Sequence, residues 1–201
     1  MTDGKLNFDS TELAYLNDTD FLLTKIDIGF KIETLLGEVE KVLLPIIEQV
    51  DWPQNVLVKS GKISKGEMYQ GLPYYVLDFP RRFSKDEVFA FRTMCWWGNF
   101  FSATLHLSGS YLENSRDSLI NHIESIRASD AFICVNSTPW EYHYQSDNYL
   151  QANKFERSEL ENLFTSKPFI KISYKWDLDT YASLPPQVLQ VFQQTLEWVN
   201  N

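Results

Sequence analysis

Residues 88–108, VFAFRTMCWWGNFFSATLHLS, carry the clearest indication of the fold. Apolar, aromatic and polar residues alternate on both sides of Gly98 and Asn99, which is typical of two strands joined by a tight turn. A two-residue Gly98-Asn99 loop predicts a β-hairpin in which Trp97 pairs with Phe100. Because side chains alternate across a strand, this register also predicts which residues share each face.

The predicted register gives the hairpin one mixed face of aromatic and polar residues. Phe91, Thr93 and Trp97 of the first strand share this face with Thr104 and His106 of the second. The other predicted face is nearly all apolar, so it is assigned to the main core. Its members are Val88, Ala90, Arg92, Met94, Trp96, Phe101, Ala103, Leu105 and Leu107. Among them Arg92 is charged, and it needs a carboxylate partner if it is buried.

Helix and strand patterns surround the hairpin on both sides. A helical periodicity of three and four residues runs over residues 21–50, where Pro45 predicts a kink or break. Further strand patterns occupy residues 72–79, 131–135 and 169–176. Further helical patterns occupy residues 115–127, the segment after a capping box at Ser158, and the segment after Pro185-Pro186. This order predicts an α+β fold, formed by one domain over residues 1–201. Its mainly antiparallel sheet contains the hairpin, and the long N-terminal helix and the C-terminal helices cover this sheet.

Composition and charge exclude several classes of protein. With 44% hydrophobic residues the chain has enough apolar material for a core, so disorder is excluded as the main state. The formal net charge of −9 argues against nucleic acids and anionic membranes as partners, because both attract basic surfaces. No apolar run is long enough to span a membrane and no secretory signal is visible, so a soluble cytoplasmic protein is expected. Two cysteines are too few for a disulfide framework or a structural zinc site.

One window of the chain is locally basic. Residues 59–92 carry seven Lys or Arg against four Asp or Glu. These residues suit either a sheet edge protected by lysines against pairing with other edges, or an anion site. Arg81 and Arg82 are the candidates for the second role.

The stretch around the hairpin also carries a resemblance. Residues 72–81, LPYYVLDFPR, and residues 92–102, RTMCWWGNFFS, lie within a segment, residues 62–109, that looks like an uncharacterised family of bacterial proteins. This segment covers about a quarter of the chain. The resemblance implies a cytoplasmic bacterial protein, and it implies no activity.

Motifs of known cofactor and metal sites are missing or incomplete. The glycine spacing of a phosphate-binding loop occurs just before Glu67, but that loop needs a lysine at this position. No dinucleotide fingerprint, nucleophile elbow or zinc-binding helix is present, so no cofactor is expected. Glu141 and His143 share one face of an extended segment and could ligate a metal together with Asp147. A solvated loop is the simpler interpretation, and no metal site is assigned.

The mixed face of the hairpin is the first candidate for a functional site. Aromatic walls with a few convergent polar groups are typical of pockets for small ligands. We therefore expect a non-catalytic domain that binds a small, partly apolar molecule there, with Tyr74 or Trp140 as further walls. Arg81 or Arg82 would meet an anionic end of the molecule. A half-buried histidine that is hydrogen-bonded to a neighbouring element is the alternative interpretation of His106.

Two other functions stay open at this point. Aromatic residues make up 15% of the chain and are enriched at interface cores, so Trp140, Tyr142 and Tyr144 are candidates for a homodimer or partner interface. His106 could instead be the general base of an enzyme, since the ordinary pKa of histidine lies near neutrality. No nucleophile or oxyanion site in the sequence accompanies it.

Overall fold

The computed structural model describes residues 6–53 and 55–200 of the chain. The prediction that no secretory signal is present concerns the N-terminal residues, and residues 1–5 of that segment lie outside the described residues. The helices are α1 (Ser10–Asn17), α2 (Thr19–Ile47), α3 (Ser110–Asn121), α4 (Ile123–Ala128), α5 (Arg157–Ser166) and α6 (Leu184–Val199). The strands are β1 (Lys62–Tyr69), β2 (Leu72–Phe83), β3 (Val88–Trp96), β4 (Phe100–Ser108), β5 (Phe132–Cys134), β6 (Tyr149–Gln151) and β7 (Phe169–Trp176). Two short 3-10 helices, η1 (Ala152–Lys154) and η2 (Leu178–Ser183), precede α5 and α6.

The strands form one seven-stranded antiparallel sheet in the order β1-β2-β3-β4-β7-β5-β6. The hairpin of β3 and β4 lies near the middle, between β2 and β7, and β1 and β6 are the edges. The predicted α+β fold, with a long N-terminal helix, C-terminal helices and an antiparallel sheet, is therefore confirmed. Within residues 6–53 and 55–200, no helix combines the length and the apolar character that a membrane crossing requires.

The register of the hairpin differs by one residue from the prediction. Trp96 rather than Trp97 pairs with Phe100, so the loop has three residues, of which Gly98 is the middle one. The Asn99 N–H donates to the Trp96 carbonyl at 3.1 Å, and Gly98 has a φ of 69°, in the left-handed region that favours glycine. The longer loop shifts every pairing of the hairpin by one residue, and such a shift moves each side chain of one strand to the opposite face.

The shift separates the residues of the predicted mixed face, and that prediction was wrong. Phe91 and Thr93 face one side of the sheet, whereas Thr104 and His106 face the other. The predicted apolar face was wrong for the same reason. Four of its members from β4, Phe101, Ala103, Leu105 and Leu107, lie on the side of Phe91 instead.

One side of the sheet, which we call the helix face, packs against α2, α3 and α6. On the hairpin it consists of Phe89, Phe91, Thr93, Cys95, Phe101, Ala103, Leu105 and Leu107. The buried stripe of α2 includes Ile32, Leu36, Val39 and Leu43, spaced by three and four residues. In α6, the ring of Phe192 meets that of Phe91 edge to face, with centroids 4.8 Å apart. Burial of this apolar surface is the main stabilising contribution of the helices.

The opposite side, which we call the loop face, lies under an irregular segment of residues 135–148, the cover loop. On the hairpin the loop face consists of Ala90, Arg92, Met94, Trp96, Phe100, Ser102, Thr104 and His106. Tyr69 and Tyr74 from β1 and β2, and Tyr142 from the cover loop, pack around Met94 and Trp96. The central strands are therefore buried on both sides.

Local boundaries depart from the sequence patterns in small ways. Pro45 lies inside α2, two residues before the helix ends at Ile47. One predicted helix over residues 115–127 is replaced by α3 and the short α4. The capping box of α5 uses Glu156 and Glu159 rather than Ser158.

Candidate functional site

The nine residues selected from the sequence do not form one pocket. They are Phe91 and Thr93 in the helix face, Trp97 at the hairpin tip, Tyr74, Thr104, His106 and Trp140 at the loop face, and Arg81 and Arg82 at the end of the hairpin away from the tip. Arg82 pairs with Phe89, eight residues before Trp97, so about 26 Å of strand separates the two ends. Phe91 and Thr93 are fully buried, which leaves them no contact with a ligand.

An ion pair lies at the centre of the loop face. The Arg92 guanidinium donates to the two carboxylate oxygens of Asp78 at 2.7 and 2.9 Å, and to the hydroxyl of Tyr142. Asp78 lies opposite Arg92 on β2 and is the carboxylate partner that the sequence required. The Asp78 side chain is 7% exposed and that of Arg92 is 19% exposed, so the pair is largely shielded from water. A bidentate contact of this kind holds both groups in one orientation.

Lys171 of β7 is a buried residue that the sequence analysis missed, because it occupies a polar position of an alternating strand. It is 1% exposed, beneath the cover loop. Its amino group donates to the carbonyls of Pro139 and Glu141 at 2.8 and 2.7 Å, and lies 4.3 Å from the centre of the Tyr142 ring. Burial, assisted by the charge of Arg92, lowers the pKa of Lys171 from 10.5 to about 7. Lys171 therefore holds the cover loop by two hydrogen bonds in a site that disfavours its charge.

His106 lies in the same buried cluster. Burial, together with the positive charges of Lys171 and Arg92, lowers its pKa to about 3. Trp140 packs edge-on over the imidazole with ring centroids 5.8 Å apart, and Nε2 has no hydrogen-bond partner in the described part of the chain. The cavity beside the ring measures about 10 Å³, too small for any molecule larger than water. A shielded base with so low a pKa is poorly matched to proton abstraction at neutral pH.

The aromatic row of the cover loop points inward. Tyr142 contacts Arg92, and the hydroxyl of Tyr144 donates to the Tyr174 carbonyl at 3.0 Å. Trp140 alone of the three is largely exposed, at 54%. The row therefore does not form the exposed patch that we expected for a shared interface.

The three residues considered as metal ligands lie together in the cover loop. His143 Nε2 is 3.8 Å from a Glu141 carboxylate oxygen, and His143 Nδ1 is 3.9 Å from one of Asp147. His143 is buried, so the interpretation of a solvated loop was wrong for this residue. Within residues 6–53 and 55–200, no group of three or more His, Cys, Asp or Glu side chains is arranged to hold a metal ion.

An open apolar groove lies at the tip of the hairpin, and we call it the tip groove. It runs between α2, the hairpin loop and η2, and its volume is about 900 Å³. The α2 wall consists of Ile28, Lys31, Ile32, Thr34, Leu35 and Glu38. The remaining walls consist of Cys95, Trp97, Gly98 and Phe101 from the hairpin, and Leu178 and Tyr181 from η2. Trp97 is the one residue selected from the sequence that lines it.

The walls of the tip groove are held by neighbouring packing. Trp97 stacks on Tyr75 of β2, with ring centroids 6.3 Å apart and an interplanar angle of 19°. Tyr75 in turn packs against α2 at Gly29, where a Cβ would lie 2.5 Å from the tyrosine hydroxyl. Glycine at this position therefore lets the helix and the hairpin approach each other closely.

The charges of the tip groove lie in two of its twelve lining residues, Lys31 and Glu38. Both are exposed on α2, two turns of helix apart. At the base, burial raises the pKa of the Cys95 thiol to about 12, so this cysteine stays protonated and behaves as an apolar wall. The groove can therefore bury an apolar body, with the positive charge of Lys31 and the negative charge of Glu38 at different points of the α2 rim. Glu38 is ion-paired with Lys41 at 2.6 Å, so Lys31 is the charged group of the lining that is left to meet a ligand.

No pattern in the sequence indicated this groove. The periodicity of Ile28, Ile32 and Leu35 assigns them to one core-facing stripe of the long helix. The groove arises because the hairpin tip and η2 leave part of that stripe uncovered, and the uncovered part depends on their relative placement.

No protein-family model, curated protein or solved structure matches the chain. Function is therefore inferred from the geometry of the site.

Proposed function

We propose that the protein is a non-catalytic domain that binds a small, largely apolar molecule with an anionic end in the tip groove. The observation that carries this proposal is an open groove of about 900 Å³ with mainly apolar walls. Pockets for small ligands commonly have volumes of roughly 300–1,000 Å³ and mainly apolar walls with a few polar groups. The proposal keeps the ligand class expected from the sequence and moves its site from the hairpin face to the hairpin tip.

The aromatic walls support an apolar ligand with a flat or flexible body. Trp97 comes from the hairpin loop and Tyr181 from η2, so they belong to two different walls of the groove. Phe101 of β4 also lines it. Tyr181 is 59% exposed, and a ligand that covered it would remove apolar surface from water. At about 25 cal/mol per Å², each 100 Å² of apolar contact contributes about 2.5 kcal/mol to binding, before the loss of the ligand's translational and rotational freedom is subtracted.

Lys31 supports the anionic end. It takes the role that the sequence suggested for Arg81 and Arg82, which lie at the far end of the hairpin. A carboxylate or sulfonate at the α2 rim would reach its ammonium while the apolar body stays in the groove. The resemblance of residues 62–109 supports the cytoplasm of a bacterium as the location of this binding protein.

Binding is tested with anilinonaphthalene sulfonate, a fluorescent probe that combines an apolar body and an anionic group. We expect saturable fluorescence that dodecanoate displaces, and that dodecanol displaces less well. Native mass spectrometry of the untagged protein would then show whether a molecule of this class is retained through purification.

Two variants locate the binding site. Thr34→Trp places a large ring in the groove from an exposed position of α2 and is expected to weaken the probe at least ~10-fold, because the ring occupies the ligand's volume. Lys31→Glu is expected to weaken dodecanoate but not dodecanol. Thr165→Trp, on the exposed side of α5, is the matched control and should leave affinity unchanged. Equal probe affinity in Thr34→Trp and the wild type would refute the tip groove as the site.

A further inference from the structure

The N-terminal arm, defined here as residues 10–28, is largely exposed, and Lys25 joins it to the sheet by an ion pair with Glu67 of β1 at 3.0 Å. It comprises α1 and the beginning of α2, and none of its residues is buried. Nine large apolar side chains between residues 10 and 30 are at least 39% exposed. They are Leu13, Tyr15, Leu16, Phe21, Leu22, Leu23, Ile26, Ile28 and Phe30. Exposed large apolar side chains in such number are typical of a surface that binds another molecule.

Part of the arm forms a regular stripe on the side of α2 away from the sheet. Leu23, Ile26 and Phe30 are spaced by three and four residues and are 56%, 54% and 63% exposed. Phe30 precedes the buried Ile32 by two residues, or ~200° of helical rotation, so the stripe and the core-facing side are nearly opposite. Spacing of this kind is the seam of a helix pair. Gly37, one heptad after Phe30, continues the stripe, and a Cβ there would meet nothing within 4 Å.

We infer that a second copy of this chain covers the stripe, through an antiparallel pairing of the two α2 helices about a two-fold axis near Ile26. A two-fold axis makes the same patch serve both partners. It places Ile26 against Ile26 of the second copy, and Leu23 against Phe30 in both directions. The stripe is therefore complementary to itself in size as well as in polarity.

Charge on the flank of the stripe supports the same partner and the same direction. Asp20 and Lys31 are eleven residues apart, which is close to three turns, so both lie on one flank. Asp20 precedes Ile26 by six residues and Lys31 follows it by five. An antiparallel pair centred on Ile26 therefore brings Asp20 of each copy near Lys31 of the other. Neither side chain forms an ion pair within the described part of the chain.

The charge of the arm also argues against a lipid surface as the partner. Residues 9–28 carry five acidic residues, Asp9, Glu12, Asp18, Asp20 and Asp27, against one basic residue, Lys25. Anionic membranes repel such a segment. Lys62 and Lys65 are exposed lysines of the edge strand β1, and Lys65 lies beside α2, 3.1 Å from Glu33. An acidic arm crossing the α2 of a second copy would run toward these lysines.

The pairing overlaps the first half of α2. About an axis near Ile26, residues 19–33 of the two helices overlap over about 22 Å at ~1.5 Å per residue, and α1, which the non-helical Asp18 separates from α2, extends the apolar surface at each end. A standard interface needs about 800 Å² from each partner, so both parts of the arm have to contribute to it. A helix as short as α1, with eight residues, is also marginal by itself in water and gains from packing against a partner.

The first experiment measures mass in solution by size-exclusion chromatography with light scattering at ten to one hundred micromolar. We expect about 47 kDa for the wild type, twice the 23.5 kDa of the chain. Ile26→Glu should raise the dimer dissociation constant at least ~100-fold, because two carboxylates would face each other in an apolar seam. Met68→Glu is the matched control, since Met68 is 81% exposed on β1 and receives the same charge. A wild-type monomer, or a dimer unaffected by Ile26→Glu, would overturn the inference.

Cysteine cross-linking tests the direction of the pairing. The native Cys95 and Cys134 are buried, so a new exposed cysteine is the reactive one. With copper phenanthroline as the oxidant, Ile26→Cys should form a disulfide-linked dimer. Leu23→Cys and Phe30→Cys should cross-link efficiently only when the two variants are mixed. Efficient cross-linking of Leu23→Cys to itself would indicate parallel helices and overturn the antiparallel pairing.

Two further readouts distinguish loss of the dimer from loss of the fold or of the tip groove. Ile26 lies outside the lining of the tip groove, and dodecanol does not use Lys31, which the dimer pairs with Asp20 of the second copy. Ile26→Glu should therefore leave unchanged the affinity for dodecanol that Thr34→Trp weakens, measured by isothermal titration calorimetry. Circular dichroism should lose at most the helical signal of the eight residues of α1, because Ile26 packs in no core cluster. A monomer that binds phosphatidylcholine vesicles through the same residues would assign the stripe to a lipid surface and overturn the inference.

Discussion

The helix face and the loop face belong to the same two central strands, yet they are covered in different ways. The helix face meets continuous apolar stripes from α2 and α6, and its contacts are many and similar. The loop face meets an irregular segment that is held by a few directed hydrogen bonds, among them those of Lys171 and Arg92. Burial alone therefore does not define a core. The helix face is stabilised mainly by the transfer of apolar surface from water to the interior. The stability of the loop face depends on whether particular buried polar groups form their hydrogen bonds.

This difference bears on where a ligand can bind. Both faces are filled by the protein's own side chains over the middle of the hairpin, where the cavity beside His106 measures only about 10 Å³. Space opens where the covering elements end, at the hairpin tip between α2 and η2. Four substitutions or titrations probe the two faces, in order of decreasing effect.

The largest effect is expected from Phe91→Ala on the helix face. Phe91 is fully buried and its ring packs against Phe192, so removal of the ring leaves a cavity between sheet and helix. We expect the free energy of unfolding to fall by about 3–5 kcal/mol, measured by urea denaturation. Leu57→Ala, at a residue that is 50% exposed, is the control and should cost less than ~1 kcal/mol. A loss below ~1 kcal/mol for Phe91→Ala would contradict a main core on this side.

Asp78→Ala tests the polar character of the loop face. The substitution leaves the Arg92 guanidinium without its carboxylate, and an unpaired charge in a shielded position is costly. We expect a loss of about 2–3 kcal/mol, below the value for a completely buried pair because Arg92 is 19% exposed. The double variant Asp78→Ala with Arg92→Met should be more stable than Asp78→Ala. Simple additivity of the two substitutions would show that the two charges are not energetically coupled.

The pH dependence of stability tests Lys171. Its pKa is lowered from 10.5 in the unfolded chain to about 7 in the folded state, so between these values the unfolded chain binds more protons. The free energy of unfolding should therefore rise from pH 7 to pH 9, with a slope of at most ~1.4 kcal/mol per pH unit. Lys171→Met should remove this rise. A wild-type profile that is flat or falling over the window would show that Lys171 keeps its charge when buried.

The smallest effect on stability is expected from Trp140→Ala. Trp140 is 54% exposed, so the loss should be only about 1 kcal/mol. The substitution uncovers His106, however, and the pKa of His106 should rise from about 3 toward 6.5 as water reaches the ring. Titration followed by nuclear magnetic resonance measures this pKa. An unchanged pKa of His106 would mean that the strands and Lys171, rather than the cover loop, set its environment.

The sequence predicted more of the fold than of the candidate site. The hairpin of residues 88–108, the long helix and the final helix all follow from local periodicity, and each was confirmed. Trp97 is the only selected residue that lines the tip groove. Phe91, Thr93, Thr104 and His106 were grouped by a register that was wrong by one residue, and register determines the face of every side chain in a strand.

Helix and strand periods are local properties of the chain, so the sequence was sufficient to define the hairpin, the long helix and the final helix. It was also sufficient to require an acidic partner for Arg92, since a buried charge cannot be left unpaired. The hairpin register and the burial of Lys171, in contrast, emerged only from the assembled fold. Because β3 and β4 are covered on both sides, neither face needs to be polar, and alternation does not distinguish a two-residue loop from a three-residue loop. Only the packing of the helices on one side and the cover loop on the other selects between them.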